Sequence, residues 1–352
     1  MKKKLPDLII GDLKINPPII QGGMGVRVSK SSLASAVSNT GALGVIASVG
    51  LGHEVDSEID YEKSSADALK GEILKAKAKT NNPIGVNIMV ALTNYDSLVR
   101  VCVENNVDVI ISGAGLPLKL PQLTAGSKIK IVPIVSSGRA ANIICTNWSR
   151  KYNRLPDAIV VEGPLAGGHL GFSRDELVAN ISLENIVIEV IDVANNFGKN
   201  IPVIAAGGIF DGKDIARFLK LGASGVQMAT RFVCTYECDA SMAFKETYLK
   251  AKKEDVMIID SPVGLPGRVI KNKFVKRILS GEKIKFKCPY KCLRTCDVAN
   301  VNYCIADALV NSAKGDMEKG FAMCGQNAYR IDKVISVKEL IDELVSEAKK
   351  EI

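Results

Sequence analysis

The sequence predicts an α/β fold: a (β/α)8 TIM barrel with a mainly helical C-terminal lid region. Two observations predict it. Eight short apolar runs recur through the first 235 residues, and each ends in a glycine-rich or polar loop. The stretches between most of the runs are long enough for a crossover helix, which makes the runs parallel strands of βαβ units. Eight such units in series close into a barrel, and the loops after the strands form its reactive face.

The runs occupy residues 19–21, 43–48, 84–90, 107–112, 130–136, 157–162, 201–206 and 225–230. Most are rich in Val and Ile and bounded by turn residues. Helices are expected at 31–39, 65–80, 96–105, 183–197 and 211–221. Ser182 is placed to cap the fourth, with Glu184 in its first turn where an acid suits the helix dipole. Gly222 stops the fifth. After residue 235 the strand rhythm ends. Residues 236–253 and 297–320 read as helices, joined by Ser261-Pro262-Val263-Gly264-Leu265-Pro266-Gly267 and a lysine-rich stretch. Residues 337–350 close the chain as an amphipathic helix with Leu340, Ile341, Leu344 and Val345 on one face. The expected division is a barrel over 1–235, a lid over 236–325, and a C-terminal helix over 326–352 that returns to the barrel.

At 352 residues and 47% hydrophobic content, the chain can bury a barrel of about 250 residues plus an addition of roughly 100. No uninterrupted apolar run reaches membrane-spanning length, so no membrane partner is expected. Met1-Lys2-Lys3-Lys4 resembles the start of a signal sequence, but no apolar stretch follows, and a cytoplasmic location is expected. The net charge of +8 is spread along the chain and aromatics are only 5%, which argues against nucleic acid as a partner. A homo-oligomer is compatible with everything read so far.

The strand-end loops carry the chemistry. The seventh run ends in Gly207-Gly208 just before a helix, which lets backbone amides approach an anion. One βα unit later, Gln227-Met228-Ala229-Thr230 supplies a hydroxyl and further amides, at the position where barrels commonly hold phosphate. Gln21-Gly22-Gly23-Met24-Gly25 offers a backbone wall. The amides of Asn87 and Gln227 present both donor and acceptor to the edge of a flavin pyrimidine.

These segments, with Gly85-Val86-Asn87-Ile88-Met89 and Gly167-Gly168-His169-Leu170-Gly171, resemble the nitronate monooxygenase family, also called 2-nitropropane dioxygenases. The similarity covers residues 18–235, and 327–344 resembles clostridial-type members. FMN-dependent enoyl-acyl-carrier-protein reductases share the barrel and nearly all these motifs. The resemblance implies FMN, held by Gln21, Gly22, Gly23 and Met24 on the first loop and by Asn87 on the third strand. It adds Glu162, Gly167 and Gly168 after the sixth strand, and Gly207, Gly208, Gln227, Met228, Ala229 and Thr230 on the last two loops. One residue departs from the family: Ala229 stands where glycine is usual, which is tolerable unless its φ is positive.

The chain has two histidines. His169 lies among glycines in the loop after the sixth strand and suits proton removal from an acidic C–H. The resemblance makes it the catalytic residue. His53 reads as a solvated loop residue. The implied reaction is oxidation of alkyl nitronates with O2. The alternative is NAD(P)H-dependent reduction of an enoyl thioester, which needs an acyl tunnel under the lid. A flavin-binding sensor without turnover is a third class, and His169 argues against it.

Nine cysteines, with no secretory signal, read as reduced thiols. Cys288, Cys292, Cys296 and Cys304 crowd into 17 residues. Their spacing lacks a Cys-x2-Cys knuckle, and Pro289 argues against a helix through the first step. No metal is expected.

Overall fold

The computed structural model describes residues 4–53, 60–179, 181–198, 200–288 and 290–352. Met1, Lys2, Lys3 and Pro289, used above, lie outside the described residues. The chain opens with an antiparallel hairpin of β1 (Leu8–Ile10) and β2 (Leu13–Ile15) that the sequence reading passed over. There follow β3 (Ile19–Gln21), β4 (Gly44–Ala47), β5 (Ile84–Met89), β6 (Val109–Gly113), β7 (Lys130–Val135) and β8 (Ile159–Glu162). A two-residue strand, β9 (Gly168–His169), precedes β10 (Val203–Ala206) and β11 (Gly225–Met228).

Eight of these strands form one parallel sheet in the order β3-β11-β10-β8-β7-β6-β5-β4. The barrel closes where Gln21 N donates to Leu43 O at 2.9 Å and Leu43 N to Ile19 O at 3.0 Å. Each of the eight apolar runs overlaps one of the barrel strands. Inside the barrel, Ile20, Leu43, Val109, Val160 and Ile204 pack with Leu8, Ile10 and Ile15 of the hairpin. The hairpin thus plugs the end where strands begin, and the opposite end stays open for ligands.

Helices lie at the expected places: Ser31–Ser38, Tyr61–Lys77, Tyr95–Glu104, Leu183–Asn195 and Gly212–Leu221. Ser182 Oγ accepts from Asn185 N at 3.2 Å, and Gly222 takes φ 109° at the end of its helix. The helix Gly138–Tyr152 went unread, because Asn142, Thr146 and Asn147 dilute its apolar stripe. Tertiary anchoring offsets that weakness: Trp148 is fully buried and donates its ring N–H to Pro117 O at 3.1 Å.

Beyond the barrel, helices Met242–Lys250, Lys273–Leu279 and Ile305–Lys314 are joined by a hairpin of β12 (Val256–Asp260) and β13 (Pro266–Ile270). The Pro/Gly segment is the turn of this hairpin. β13 also pairs with β9, setting Gly267 opposite His169 and Arg268 opposite Gly168. Ile259, Val269, Phe274, Tyr303 and Phe321 give this region a small core of its own. The last helix, Val337–Glu351, starts at a capping box between Ser336 and Glu339 and packs on the helix Gly212–Leu221. A Cβ on Gly212 would meet Glu347 Cβ at 2.3 Å, so the close approach needs glycine. Among the described residues no helix is long and apolar enough to cross a membrane.

Candidate active site

Two adjoining cavities open at the C-terminal ends of the barrel strands. The smaller, about 190 Å³, is walled by Gly22 to Gly25, Gly167 and Gly168, Gly207 and Gly208, and Met228 to Thr230. The larger, about 470 Å³, lies between the barrel mouth and the lid. Gly23, Glu162, Gly168, Gln227 and Met323 border both.

The smaller cavity is walled largely by glycine backbone. Gly207 and Gly208 take φ 96° and 83°, a region L side chains rarely enter. A Cβ on Gly208 would lie 2.8 Å from Leu165 Cβ, and one on Gly207 would lie 3.0 Å from Gly163 O. Ala229 has φ −126°, so its methyl group carries no backbone strain. Thr230 Oγ1 accepts from Gly325 N at 3.0 Å, and Asn327 Nδ2 donates to Gly208 O at 2.7 Å. The segment 323–327 therefore straps across the loops after β10 and β11. The sequence reading missed it, since nothing in residues 323–327 marks them as ligand-facing without the chain path.

Gln227 joins the two cavities. It is 9% exposed, and its side-chain carbonyl oxygen has no hydrogen-bond partner among the described residues. A buried acceptor left open in this way is fit for a ligand donor. A Cβ on Gly22 would fall 3.2 Å from Gln227 Cγ, so any side chain there would push the Gln227 amide aside by a few tenths of an ångström. Asn87 stands across the site on β5 and borders the larger cavity, with only a long 3.4 Å bond from Nδ2 to Ile111 O. Gly23 is pressed against it, and a Cβ there would meet Asn87 Cβ at 2.5 Å.

Gln21 is the predicted site residue that these cavities do not include. Its side chain is fully buried at the barrel seam, accepting from Val45 N at 3.1 Å and donating to Gly22 O at 2.5 Å. Its amide is spent on holding β3 against β4 and on shaping the glycine loop.

Glu162 ends β8 between the cavities, and burial pushes its carboxyl up to about 7. His169 lies in the larger cavity, where burial pushes its imidazole down to about 4 and keeps it neutral near pH 7. Its Nε2 is 2.7 Å from Ser261 Oγ in the turn of the lid hairpin, a partner that sequence gave no means of pairing across 92 residues. His53 is not solvated. It is 4% exposed, borders the same cavity, and packs against the rings of Tyr61 and Tyr290 at 5.0 and 4.4 Å. Burial, with Arg27 nearby, pushes it down to about 4 as well.

The rest of the larger cavity is mostly apolar: Met89, Leu92, Leu116 and Ile134 from the barrel, Leu265, Leu293, Ile305 and Leu309 from the lid. Cys292 also reaches this wall, and its backbone oxygen accepts from Thr93 N at 3.1 Å, docking the lid on the barrel. Among the described residues no three His, Cys, Asp or Glu side chains converge to hold a single metal ion.

The chain is similar to FabK from Thermotoga maritima, with 31% identity, a TM-score of 0.76, and 96% and 94% of the two chains covered. The nitroalkane oxidase of Streptomyces ansochromogenes, at 21% identity and a TM-score of 0.73, shares the fold. A (3aS,4S,5R,7aS)-5-hydroxy-7a-methyl-1-oxo-octahydro-1H-indene-4-carboxyl-CoA dehydrogenase of Mycobacterium tuberculosis is 30% identical, over 77% of this chain and 68% of that protein. The corresponding Rhodococcus jostii enzyme is 27% identical, and the match spans 65% of its length. A probable nitronate monooxygenase of Staphylococcus saprophyticus is 28% identical, over 78% of this chain and 81% of its own. The family model described as nitronate monooxygenase matches residues 7–347, and the chain accordingly belongs to that family of flavin-dependent oxidoreductases.

Proposed function

We propose that this oxidoreductase binds FMN across the two cavities and reduces the carbon–carbon double bond of an apolar enoyl thioester with electrons from NAD(P)H. The observation that carries the substrate class is the larger cavity, about 470 Å³ and mostly apolar. Even after a flavin ring takes the part beside Gly23, Asn87 and Gln227, the space toward Leu116, Ile134, Leu265 and Leu309 suits a hydrocarbon tail. A small nitronate would leave that region empty. The names of two relatives, each a carboxyl-CoA dehydrogenase, support an acyl thioester as well.

The residues fit the cofactor. Gly207, Gly208 and Thr230 would hold the phosphate on amides and a hydroxyl, while the open oxygen of Gln227 and the amide of Asn87 would meet the polar edge of the ring. Bound FMN supplies transfer of an electron pair between nicotinamide and substrate. The chain supplies the rest. Lid residues Leu265, Leu293 and Ile305 exclude water. Glu162, titrating near neutrality, holds a proton beside the reacting carbon, and neutral His169, oriented by Ser261, orients the thioester carbonyl or carries the proton inward.

A second reading keeps the reaction named by the family, oxidation of an alkyl nitronate with O2. The neutral imidazole of His169 favours it, since a ring N–H remains to donate to the anionic oxygens of a bound nitronate. Anaerobic mixing separates the two. The flavin should bleach with NADH or NADPH and recolour on addition of octenoyl-pantetheine. Bleaching by propyl nitronate alone, with no response to either nicotinamide, would overturn the enoyl reading.

A further inference from the structure

Among the described residues, no negative side chain meets a positive charge that the lid hairpin buries. Arg268, on β13, is 3% exposed. One of its terminal nitrogens donates to Ala166 O, and its Nε has no partner. No carboxylate among the described residues makes an ion pair or hydrogen bond with it. Burial pushes the guanidinium down, and the adjoining Cys324 thiol, itself pushed up to about 12 by burial, is neutral and does not balance the charge. An isolated buried guanidinium is costly, and such charges are normally paired.

Its position suggests what pairs it. Arg268 sits in register opposite Gly168, its own carbonyl accepts from Cys324 N at 3.0 Å, and its side chain holds Ala166. Ala166, Gly168 and Cys324 all line the smaller cavity, across from Gly207, Gly208 and Thr230. The guanidinium is thus held against a loop, Ala166 to Gly168, that lines the smaller cavity, and its 3% exposure leaves its charge little screened by solvent.

We propose that Arg268 is the buried counter-charge for the phosphate of the flavin nucleotide, and that it makes the site prefer FMN over the uncharged riboflavin. It is a positioning residue, delivered by the lid rather than by the barrel. Loading the cofactor therefore strengthens a docking of hairpin on glycine loop that is already in place, because the anion offsets a charge the hairpin carries. The inference rests on the FMN reading of the smaller cavity.

The test compares FMN with riboflavin by flavin fluorescence titration, using the full chain stripped of flavin. Arg268→Gln keeps a donor for Ala166 O and removes the charge, and Arg268→Lys keeps the charge. The Gln variant should weaken FMN about tenfold or more while riboflavin changes less than about threefold. The Lys variant should keep most of the preference. Without flavin, the Gln variant should melt higher than the unaltered chain, since an unpaired buried charge is gone; a purely structural arginine would give a lower melting temperature. Equal weakening of both flavins, a Lys variant as impaired as the Gln variant, or a lowered melting temperature overturns the proposal. If the unaltered chain binds neither flavin, the FMN reading itself falls.

Discussion

The imidazole of His169 and the hydroxyl of Ser261 meet at 2.7 Å, joining the loop after β8 to the turn of the lid hairpin. One of the two groups is on the barrel and the other on the lid, and the strand pair Gly267–His169 holds them in register. The ring is therefore oriented only while the hairpin is docked. His169→Ala is expected to keep its flavin and to lose turnover by about 10²–10⁴-fold. Ser261→Ala should lose less, about tenfold in kcat, with KM little changed, because the ring remains but its orientation is free. Stopped-flow reoxidation of the reduced flavin by substrate measures both; a Ser261→Ala enzyme with unaltered kcat would detach the lid from the chemistry.

Gln227 and Gly208 both bear on cofactor binding, but only Gly208 bears on the folding of the flavin-free protein. The oxygen of Gln227 has no protein partner among the described residues, and its side chain borders both cavities. Gln227→Leu should thus weaken FMN without lowering the melting temperature of the stripped protein. Gly208→Asp should do harm on both counts. It forces a side chain into φ 83° and against Leu165 Cβ at 2.8 Å, and it brings a negative charge to an anion site. Its flavin content as purified should fall to near zero. Retention of a full complement would move the phosphate elsewhere.

Cavity length should set substrate length. Leu309, on the lid helix Ile305–Lys314, faces the apolar part of the larger cavity. Leu309→Trp is expected to raise KM for octenoyl-pantetheine at least tenfold and to leave crotonyl-pantetheine within about twofold. Each methylene kept out of an apolar site costs about 0.8 kcal/mol, so a chain shortened by several carbons is the one tolerated. Equal effects on both lengths would mean the tail lies elsewhere.

The barrel was legible because its signal is local: a Val- and Ile-rich run, a glycine or polar loop, then a helix, repeated along the chain. The glycine pairs at 207–208 and 22–23 were legible for the same reason: Gly207 and Gly208 have positive φ and Gly23 lies against Asn87, each a demand made at its own position. What escaped depends on contacts far apart in sequence. Ser261 matters only because β13 pairs with β9, and residues 323–327 matter only because Gly325 N reaches Thr230. The hairpin β1–β2 escaped because three-residue strands show no period, yet Leu8 and Ile15 complete the barrel interior. His53 reads as a loop residue in sequence, and only the rings of Tyr61 and Tyr290 around it explain its burial.

The same burial predicts how stability follows pH. His53 and His169 both drop from 6.5 to about 4 in the folded state, so the unfolded chain binds their protons first as pH falls. Their contribution is fully present above 6.5 and is lost as pH falls toward 4, on the order of 3 kcal/mol for each. Glu162 acts in the opposite sense. Its folded pKa is raised from 4.5 to about 7, so its contribution is present below 4.5 and is lost as pH rises through 7. Between pH 5 and 6.5 two histidines oppose one glutamate, and the flavin-free protein should gain stability as pH rises. Glu162→Gln removes the opposing group, so its urea midpoint should climb more steeply over that window than that of the unaltered chain. His53→Gln should climb less steeply. Urea melts at pH 5, 6, 7 and 8 decide the matter: a Glu162→Gln slope no steeper than the original would mean that Glu162 is ionised in the folded protein, and would remove it as the proton store beside the substrate.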